Sequence, residues 1–402
     1  MDDTTLERAR ALFFDGNACF AAGDFAGAAA RFERSLELVP GRASTLANLG
    51  AARVRAGRHA EAIPALEQAL ALEPDDLHSH SHLGLAYAAL GRHADALACH
   101  DRVLAAEPEH AASWLARGEA LRFLERHGDA LTAFERANAI DPTLAAAWTQ
   151  RGSILRDQGR LDDARRAYET AIANGGNREL NGYFLAALAG GDIPPQAPAT
   201  YVTRFFDEYA GSFDAHLVEM LEYRAPATLA AQIAALGSRR FASTLDLGCG
   251  TGLLGPLLRP LSDRLAGIDL SPAMLAQAEA RGVYDTLLRD DIVAHLRASD
   301  VRHDLVVAAD VFIYVGDLAR VFALLERAMA RGVFCFSVEA LDDDAADVRL
   351  LPSLRYAHSR PYLVRLATQH GFEVAAIDRA AVREEQGVPI EGLYLVLRRL
   401  AR

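Results

Sequence analysis

Apolar positions in the first half of the chain recur with helical spacing, and that pattern itself repeats. Prolines fall at Pro40, Pro74, Pro108 and Pro142, each 34 residues after the last. Gly16, Gly50, Gly84, Gly118 and Gly152 keep the same step, as do Ala28, Ala62, Ala96, Ala130 and Ala164. A large side chain recurs at Phe32, Leu66, His100, Phe134 and Tyr168, and Trp114 and Trp148 share a further offset. Small residues at fixed offsets let two antiparallel helices approach closely, the large residue fills the space between them, and Pro starts the break before the next pair. The spacing predicts five helix pairs over about residues 9–178, each burying its apolar face only against its neighbours. Gly175-Gly176 stands where the next Pro is due, so the array is expected to end there, with a further helix, Arg178 to Leu188, covering its open end.

The second half follows another pattern. Residues 190–200, Gly-Gly-Asp-Ile-Pro-Pro-Gln-Ala-Pro-Ala-Thr, break helical periodicity and predict a linker between a domain at 1–189 and one at 201–402. Residues 201–221 predict a short helix, a Gly-Ser interruption and a longer helix, with Phe205, Phe206, Tyr209 and Phe213 about a turn apart. Short apolar runs then predict strands at 243–247, 265–268, 286–289, 303–310, 332–338, 372–377 and 392–398, separated for the most part by helical stretches. The fourth is apolar from Leu305 to Ala309 before Asp310, as expected of a central parallel strand covered on both faces.

The first of these strands runs into Asp246-Leu-Gly248-Cys-Gly250-Thr-Gly252, a tight turn at a helix start that lets a ligand approach backbone N–H groups. Gly250 to Gly255 also spells the dinucleotide fingerprint G-x-G-x-x-G. A pyrophosphate there would be opposed by Asp246, whereas a cationic ligand suits it. A strand-helix turn with no ligand is the remaining reading. Asp269 ends the second strand, 23 positions after Asp246, where a carboxylate can accept hydrogen bonds from both hydroxyls of a ribose.

Two resemblances follow. The 34-residue unit resembles the tetratricopeptide repeat (TPR), which implies an α-solenoid whose inner wall holds a peptide or partner protein. Asn17, Asn48, His78 and His82 sit at offsets similar to those of the carboxylate clamp of co-chaperone repeats, but Phe13 and the two histidines replace its basic residues. Ordinary groove residues, or a zinc pair at i, i+4 in His78 and His82 with no third ligand evident, are the other readings. The chain from about Tyr201 onward resembles class I S-adenosyl-L-methionine (SAM)-dependent methyltransferases, in particular bacterial TPR-methyltransferase fusions. That implies an α + α/β protein: the solenoid, then a Rossmann-like domain with a seven-stranded, mostly parallel sheet whose last strand inserts antiparallel beside the fifth.

The second resemblance implies a SAM site at Asp246, Gly248, Gly250, Gly252 and Asp269, with Leu270 and Met274 against the adenine. Asp291, favoured over Asp290 and followed by Ile292, would receive the adenine amino group, and Asp310 would approach the transferred methyl. A helical cap closes over SAM in such proteins, which makes Tyr201, Tyr209 and Phe213 candidates to line the pocket. Packing of the cap on the sheet is the alternative. Candidate bases are His216, Glu339 and His358, and the charged loop from Arg383 to Glu391 either shapes the substrate end or is a solvated hairpin. Residues 311–316, Val-Phe-Ile-Tyr-Val-Gly, depart from the Asn/Asp-Pro-Pro-aromatic motif of enzymes acting on exocyclic amines and glutamine amides.

Composition narrows the function. A formal charge of -12 and a pI near 5.6 argue against nucleic-acid or anionic-membrane partners, which are bound by clustered Lys and Arg. Cys19, Cys99, Cys249 and Cys335 are scattered, suggesting neither a disulfide framework nor a zinc site, and a reducing, cytoplasmic setting is expected. No signal peptide or membrane span is expected. The leading expectation is methyl transfer to a protein, peptide or carrier-bound acceptor recruited by the repeats. A small-molecule O- or C-methyltransferase with structural repeats, and a non-catalytic scaffold that senses SAM, are the rivals.

Overall fold

The computed structural model describes residues 3–190, 192–211, 213–215, 223–237, 240–343, 346–385 and 387–399. The chain divides into two compact units, Met1–Asn181 and Gly182–Arg402.

Within the first unit the repeat becomes five helix pairs, from Asp3–Ala21 with Phe25–Leu38 to Ala145–Asp157 with Leu161–Ala173. The recurrent glycines are where each pair closes. A Cβ on Gly16, Gly50, Gly84, Gly118 or Gly152 would lie 2.3 to 2.6 Å from Phe32, Leu66, His100, Phe134 or Tyr168 respectively, so each large residue uses the space its glycine leaves. The five recurrent alanines are completely buried. Each Pro follows the end of a helix by two residues, at Leu38, Leu72, Ala106 and Ile140. The Trp offset has a function too. Trp114 and Trp148 each donate Nε1–H to the carbonyl of the preceding Pro108 and Pro142 at 2.8 Å, and His80 does the same through Nε2 to Pro74 at 2.9 Å.

The second unit is built on a mixed sheet: β1 (Thr244–Leu247), β2 (Leu265–Asp269), β3 (Thr286–Arg289), β4 (Leu305–Ala308), β5 (Gly332–Leu341), β6 (Val348–Leu350), β7 (Tyr356–Ser359), β8 (Phe372–Glu385) and β9 (Val388–Arg399). The order is β3-β2-β1-β4-β5-β7-β6, parallel from β3 through β7, with β9 antiparallel to β5 and β8 paired to β9. The sheet therefore has nine described strands rather than seven. The two additions, β6 and β7, are three and four residues long, too short for their periodicity to stand out in the sequence. Alternate residues of the central strands feed two cores, Leu245, Leu247, Val306 and Ala308 on one face and Leu305, Val307, Val333 and Cys335 on the other.

Three segments differ from the sequence reading. Of the two readings of the 383–391 stretch, β8 and β9 give the hairpin, pairing 383–385 with 388–390, but it is not a solvated one, because Arg383 is 2% exposed. The Pro-rich stretch is fastened to the second unit. Ala197 N donates to Tyr314 O at 2.9 Å, Gly316 N and Asp317 N to Pro195 O at 2.9 and 2.8 Å, and the Tyr356 hydroxyl to Pro194 O at 2.8 Å. Just before it, Tyr183 in the helix Arg178–Ala189 donates its hydroxyl to Leu354 O at 2.5 Å and packs against Tyr201 and Tyr356.

Candidate functional site

The site lies at the carboxyl ends of β1, β2 and β4, where the chain leaves β1 for neighbours on both sides and open α/β sheets hold their ligands. Gly248 and Gly250 adopt φ of 63° and 55°, the left-handed region that a side chain disfavours. A Cβ on Gly248 would meet Val311 at 2.1 Å, which sets the β1 turn directly against the residue that follows Asp310. Around Gly250, by contrast, nothing lies within 4 Å of a Cβ position. The turn thus presents open backbone at Gly250, and its N–H donates to Asp269 Oδ2 at 2.9 Å. Asp269 Oδ1 accepts from Ser271 N at 2.9 Å.

Asp246 is 1% exposed, and its Oδ2 accepts from the Tyr284 hydroxyl at 2.7 Å. Burial pushes its carboxyl up to about 7, with the Tyr284 hydrogen bond pulling the other way and the nearby Asp269 charge adding to the rise. The sequence reading missed Tyr284. Its ring fits because Gly252, Gly255 and Gly267 lack side chains, their Cβ positions lying 3.0, 2.7 and 3.0 Å from it. Gly255, the last glycine of the apparent dinucleotide fingerprint, thus makes room for a tyrosine that supports a buried acid.

Beside this turn a cleft of 610 Å³ opens between the cap helix Ala199–Tyr209 and the ends of β2 and β3, lined by Thr203, Asp207, Leu270, Arg289 and Asp290 among others. Asp290 reaches the cleft, whereas Asp291 caps the helix Ile292–Ala298, its Oδ1 accepting from Ala294 N at 2.9 Å. Met274 is buried at 1% exposure in the helix Pro272–Ala280, which favours core over adenine contact, and Ile292 packs partly against the core. The cap is latched by two carboxylates that the sequence reading passed over. Asp207 Oδ1 accepts from Ser271 Oγ at 2.5 Å and from Ala273 N at 3.3 Å. Asp214 accepts from Thr251 Oγ1 at 2.5 Å and pairs with Arg281. Tyr209 packs on Phe205 and Phe213, and burial pushes its hydroxyl up to about 12. Tyr201 packs with Tyr183, Phe184 and Phe205, the packing alternative for that residue.

Past β4, Asp310 has φ 54° and donates its N–H to Ser337 Oγ at 2.8 Å. Its Oδ2 accepts from Arg383 at 2.9 Å. Arg383 is the hub of a buried network, pairing also with Glu339 and, through Nε at 2.7 Å, with Glu385, which Arg355 also meets. Glu339 is therefore engaged by a buried guanidinium, which weighs against a free base. His358 is completely buried, its Nε2 shared between Val315 O and Gly316 O at 3.1 Å each, and burial pushes it down to about 4. Those contacts make it a brace for the turn after β4 rather than a base. His216 lies outside the described residues. In the first unit, Asn48 Nδ2 donates to Asn17 Oδ1 at 2.9 Å and His82 Nδ1 bonds to His78 O at 2.9 Å, so three of the four groove candidates have partners within the array.

An acid-flanked glycine turn in a parallel sheet with an antiparallel last strand defines an α/β domain of the class I methyltransferase type. Residues 245–337 match the family model described as a methyltransferase domain, and residues 53–119, 94–145 and 149–194 match models of the tetratricopeptide repeat. The chain therefore joins TPR repeats to a class I methyltransferase domain. It is 42% identical over 86 residues to human (Homo sapiens) methyltransferase-like protein 27, covering 21% of this chain and 35% of that protein. It is 32% identical over 131 residues to the malonyl-[acyl-carrier protein] O-methyltransferase of Pseudescherichia vulneris, covering 33% of this chain and 50% of that one. The chain thus spans about a third to a half of these curated relatives' length. A solved structure described as a DhpI–SAH complex aligns at 23% identity and a TM-score of 0.37, covering 51% of this chain and 98% of that one. Among the described residues no helix is long and apolar enough to cross a membrane.

Proposed function

We propose that this protein transfers a methyl group from SAM to an acceptor carried on a protein, a peptide or a carrier, and that the repeats recruit that acceptor. The observation that carries the reading is the turn at Gly250, open above its backbone and flanked by Asp246 and Asp269. The residues fit SAM. Two acids beside a bare backbone suit a ligand with an ammonium, a sulfonium and a ribose but no phosphate. In this reading Gly248, Gly250 and Gly252 admit the ligand's body, Asp246 attracts its positive end and Asp269 receives the ribose hydroxyls. Leu270 and Asp290 line the cleft that takes the base, Asp291 and Ile292 fix the helix start behind it, and Tyr209 closes the cap side. SAM supplies a methyl on an already activated leaving group, so the chain's own residues need only align the acceptor, exclude water and accept a proton where one is released. The relative named as acting on malonyl-[acyl-carrier protein] supports presentation of the acceptor on a carrier, not a particular acceptor atom, and five repeats give such a carrier a surface to bind.

The test is to incubate the purified protein with methyl-labelled SAM and lysate of its own source, then count macromolecules and small molecules separately. Label in a protein or carrier fraction, above a Gly250→Arg control, is the expected result. Label confined to small molecules would remove the recruiting role, and no label despite measurable SAM binding would favour a SAM-sensing scaffold.

A further inference from the structure

We propose that Asp310 takes the proton of the methyl acceptor, so that the acceptor atom is a nitrogen or oxygen bearing hydrogen, an amine or a hydroxyl, and not a carboxylate. The inference rests on the SAM-dependent reading above. Its ground is an asymmetry in the buried network at the ends of β4 and β5. Arg383 directs its three nitrogens to three different carboxylates, Asp310 Oδ2, Glu339 Oε1 and Glu385 Oε1, and Arg355 meets Glu385 as well. Asp310 Oδ1 alone among the described carboxylate oxygens is buried without a hydrogen-bond partner.

The backbone holds that oxygen in place. Asp310 is one of three described non-glycine residues with positive φ, and its N–H is tied to Ser337 Oγ, so the side chain is aimed by both a left-handed turn and a hydrogen bond. Left-handed residues held by their surroundings gather at functional sites. The contact between Gly248 and Val311 brings Asp310 to the β1 turn, at the gap between β1 and β4 where the methyl-bearing end of the cofactor is expected. Burial raises the carboxyl and outweighs Arg383 and Arg355, which lower it, so the group is more basic than an ordinary carboxylate.

An acceptor N–H or O–H supplies the donor that Oδ1 lacks. A carboxylate acceptor would set its own lone pairs against it. In the step, the acceptor atom bonds to the methyl carbon as the carbon–sulfur bond breaks. The sulfur keeps that electron pair, the acceptor's hydrogen leaves as a proton to Oδ1, and Asp310 later returns it to water.

The test compares two ligands by calorimetry on the full chain: S-adenosylhomocysteine and sinefungin, in which a carbon replaces the sulfur and its amine stands in place of the methyl. With Oδ1 at the transfer point, sinefungin should bind at least about ten-fold tighter, and Asp310→Asn should bring the ratio near one while changing S-adenosylhomocysteine affinity less than about two-fold. Equal affinities in the unaltered protein, or an advantage that survives Asp310→Asn, would overturn the proposal while leaving the SAM reading intact. Failure of both ligands to bind would instead overturn the SAM reading and the proposal with it. The labelled product offers a second readout: a methyl group stable to mild alkali is expected, and release as methanol would point to a carboxyl ester and refute the assignment.

Discussion

Asp246 and Tyr284 set the charge beside the glycine turn, and one hydroxyl keeps that charge near neutral pH. Burial holds the Asp246 carboxyl at about 7, and the hydrogen bond from Tyr284 is what opposes the rise. A cationic ligand prefers the ionised form, so SAM affinity should be level above that value and weaken as pH falls below it. Tyr284→Phe removes the opposing bond, so the onset of weakening should move to higher pH. Dissociation constants measured from pH 6 to pH 9 check this, and an unmoved midpoint would show that Asp246 does not titrate against the ligand. The sequence displayed Asp246 but concealed Tyr284, because no local spacing links position 284 to 246. Three glycines, one in the turn, one at a helix start and one inside β2, were the only trace of the ring they admit.

At the scale of elements, the cap helix is held by polar contacts between distant parts of the chain. Asp207 bonds the first turn of the helix Pro272–Ala280, and Asp214 bonds Thr251 in the glycine turn and Arg281. Each such bond contributes on the order of 1 kcal/mol net. Asp207→Ala or Asp214→Ala should therefore speed amide hydrogen exchange over residues 199–211 by about five- to ten-fold, with the strands of the sheet unchanged. Equal acceleration throughout would mean global destabilisation instead. The periodic parts of the fold were legible in the sequence, since glycine, alanine and large residues repeat in phase and the central strands are apolar runs. Contacts made across many positions were not. Nothing in the spacing marks Asp207 or Asp214 as latches, the bracing role of His358 depends on carbonyls 42 and 43 positions away, and a charged stretch such as 383–391 resembles a loop until its buried arginine is found bonded to Asp310, Glu339 and Glu385.

For the molecule as a whole, sensitivity to acid should be carried by His303 and His358 in the second unit, each pushed down to about 4 by burial, and in the repeats by His100. It occupies the position filled by Phe, Leu, Phe and Tyr in the other repeats, 2% exposed, with neither ring nitrogen hydrogen-bonded. Burial, reinforced by the charge of His110, pushes it down to about 4 from an ordinary value of 6.5. Because the folded value is the lower one, the unfolded chain binds the proton first. The stability that depends on neutral His100 should be full above about pH 6.5, fall as pH drops from there toward about 4, and level below that, a loss of about 3 kcal/mol at most from this residue. His100→Phe should remove that share of the dependence, leaving the shares of His303 and His358, and add roughly 1–3 kcal/mol at neutral pH, by removing unpaired buried nitrogens where Gly84 leaves room for a ring. Denaturant unfolding followed by helical circular dichroism at pH 7 and pH 5 measures both effects, and parallel losses in the two proteins would clear His100.

The fastening of Pro194, Pro195 and Ala197 bears on how the chain tolerates cutting. A composition rich in Gly and Pro invites excision there, yet a fragment begun at Tyr201 would strip the turn 314–317 of three backbone hydrogen bonds and leave Tyr356 without its acceptor. That turn lies four residues past Asp310, so the Gly- and Pro-rich stretch braces the chain that leaves β4.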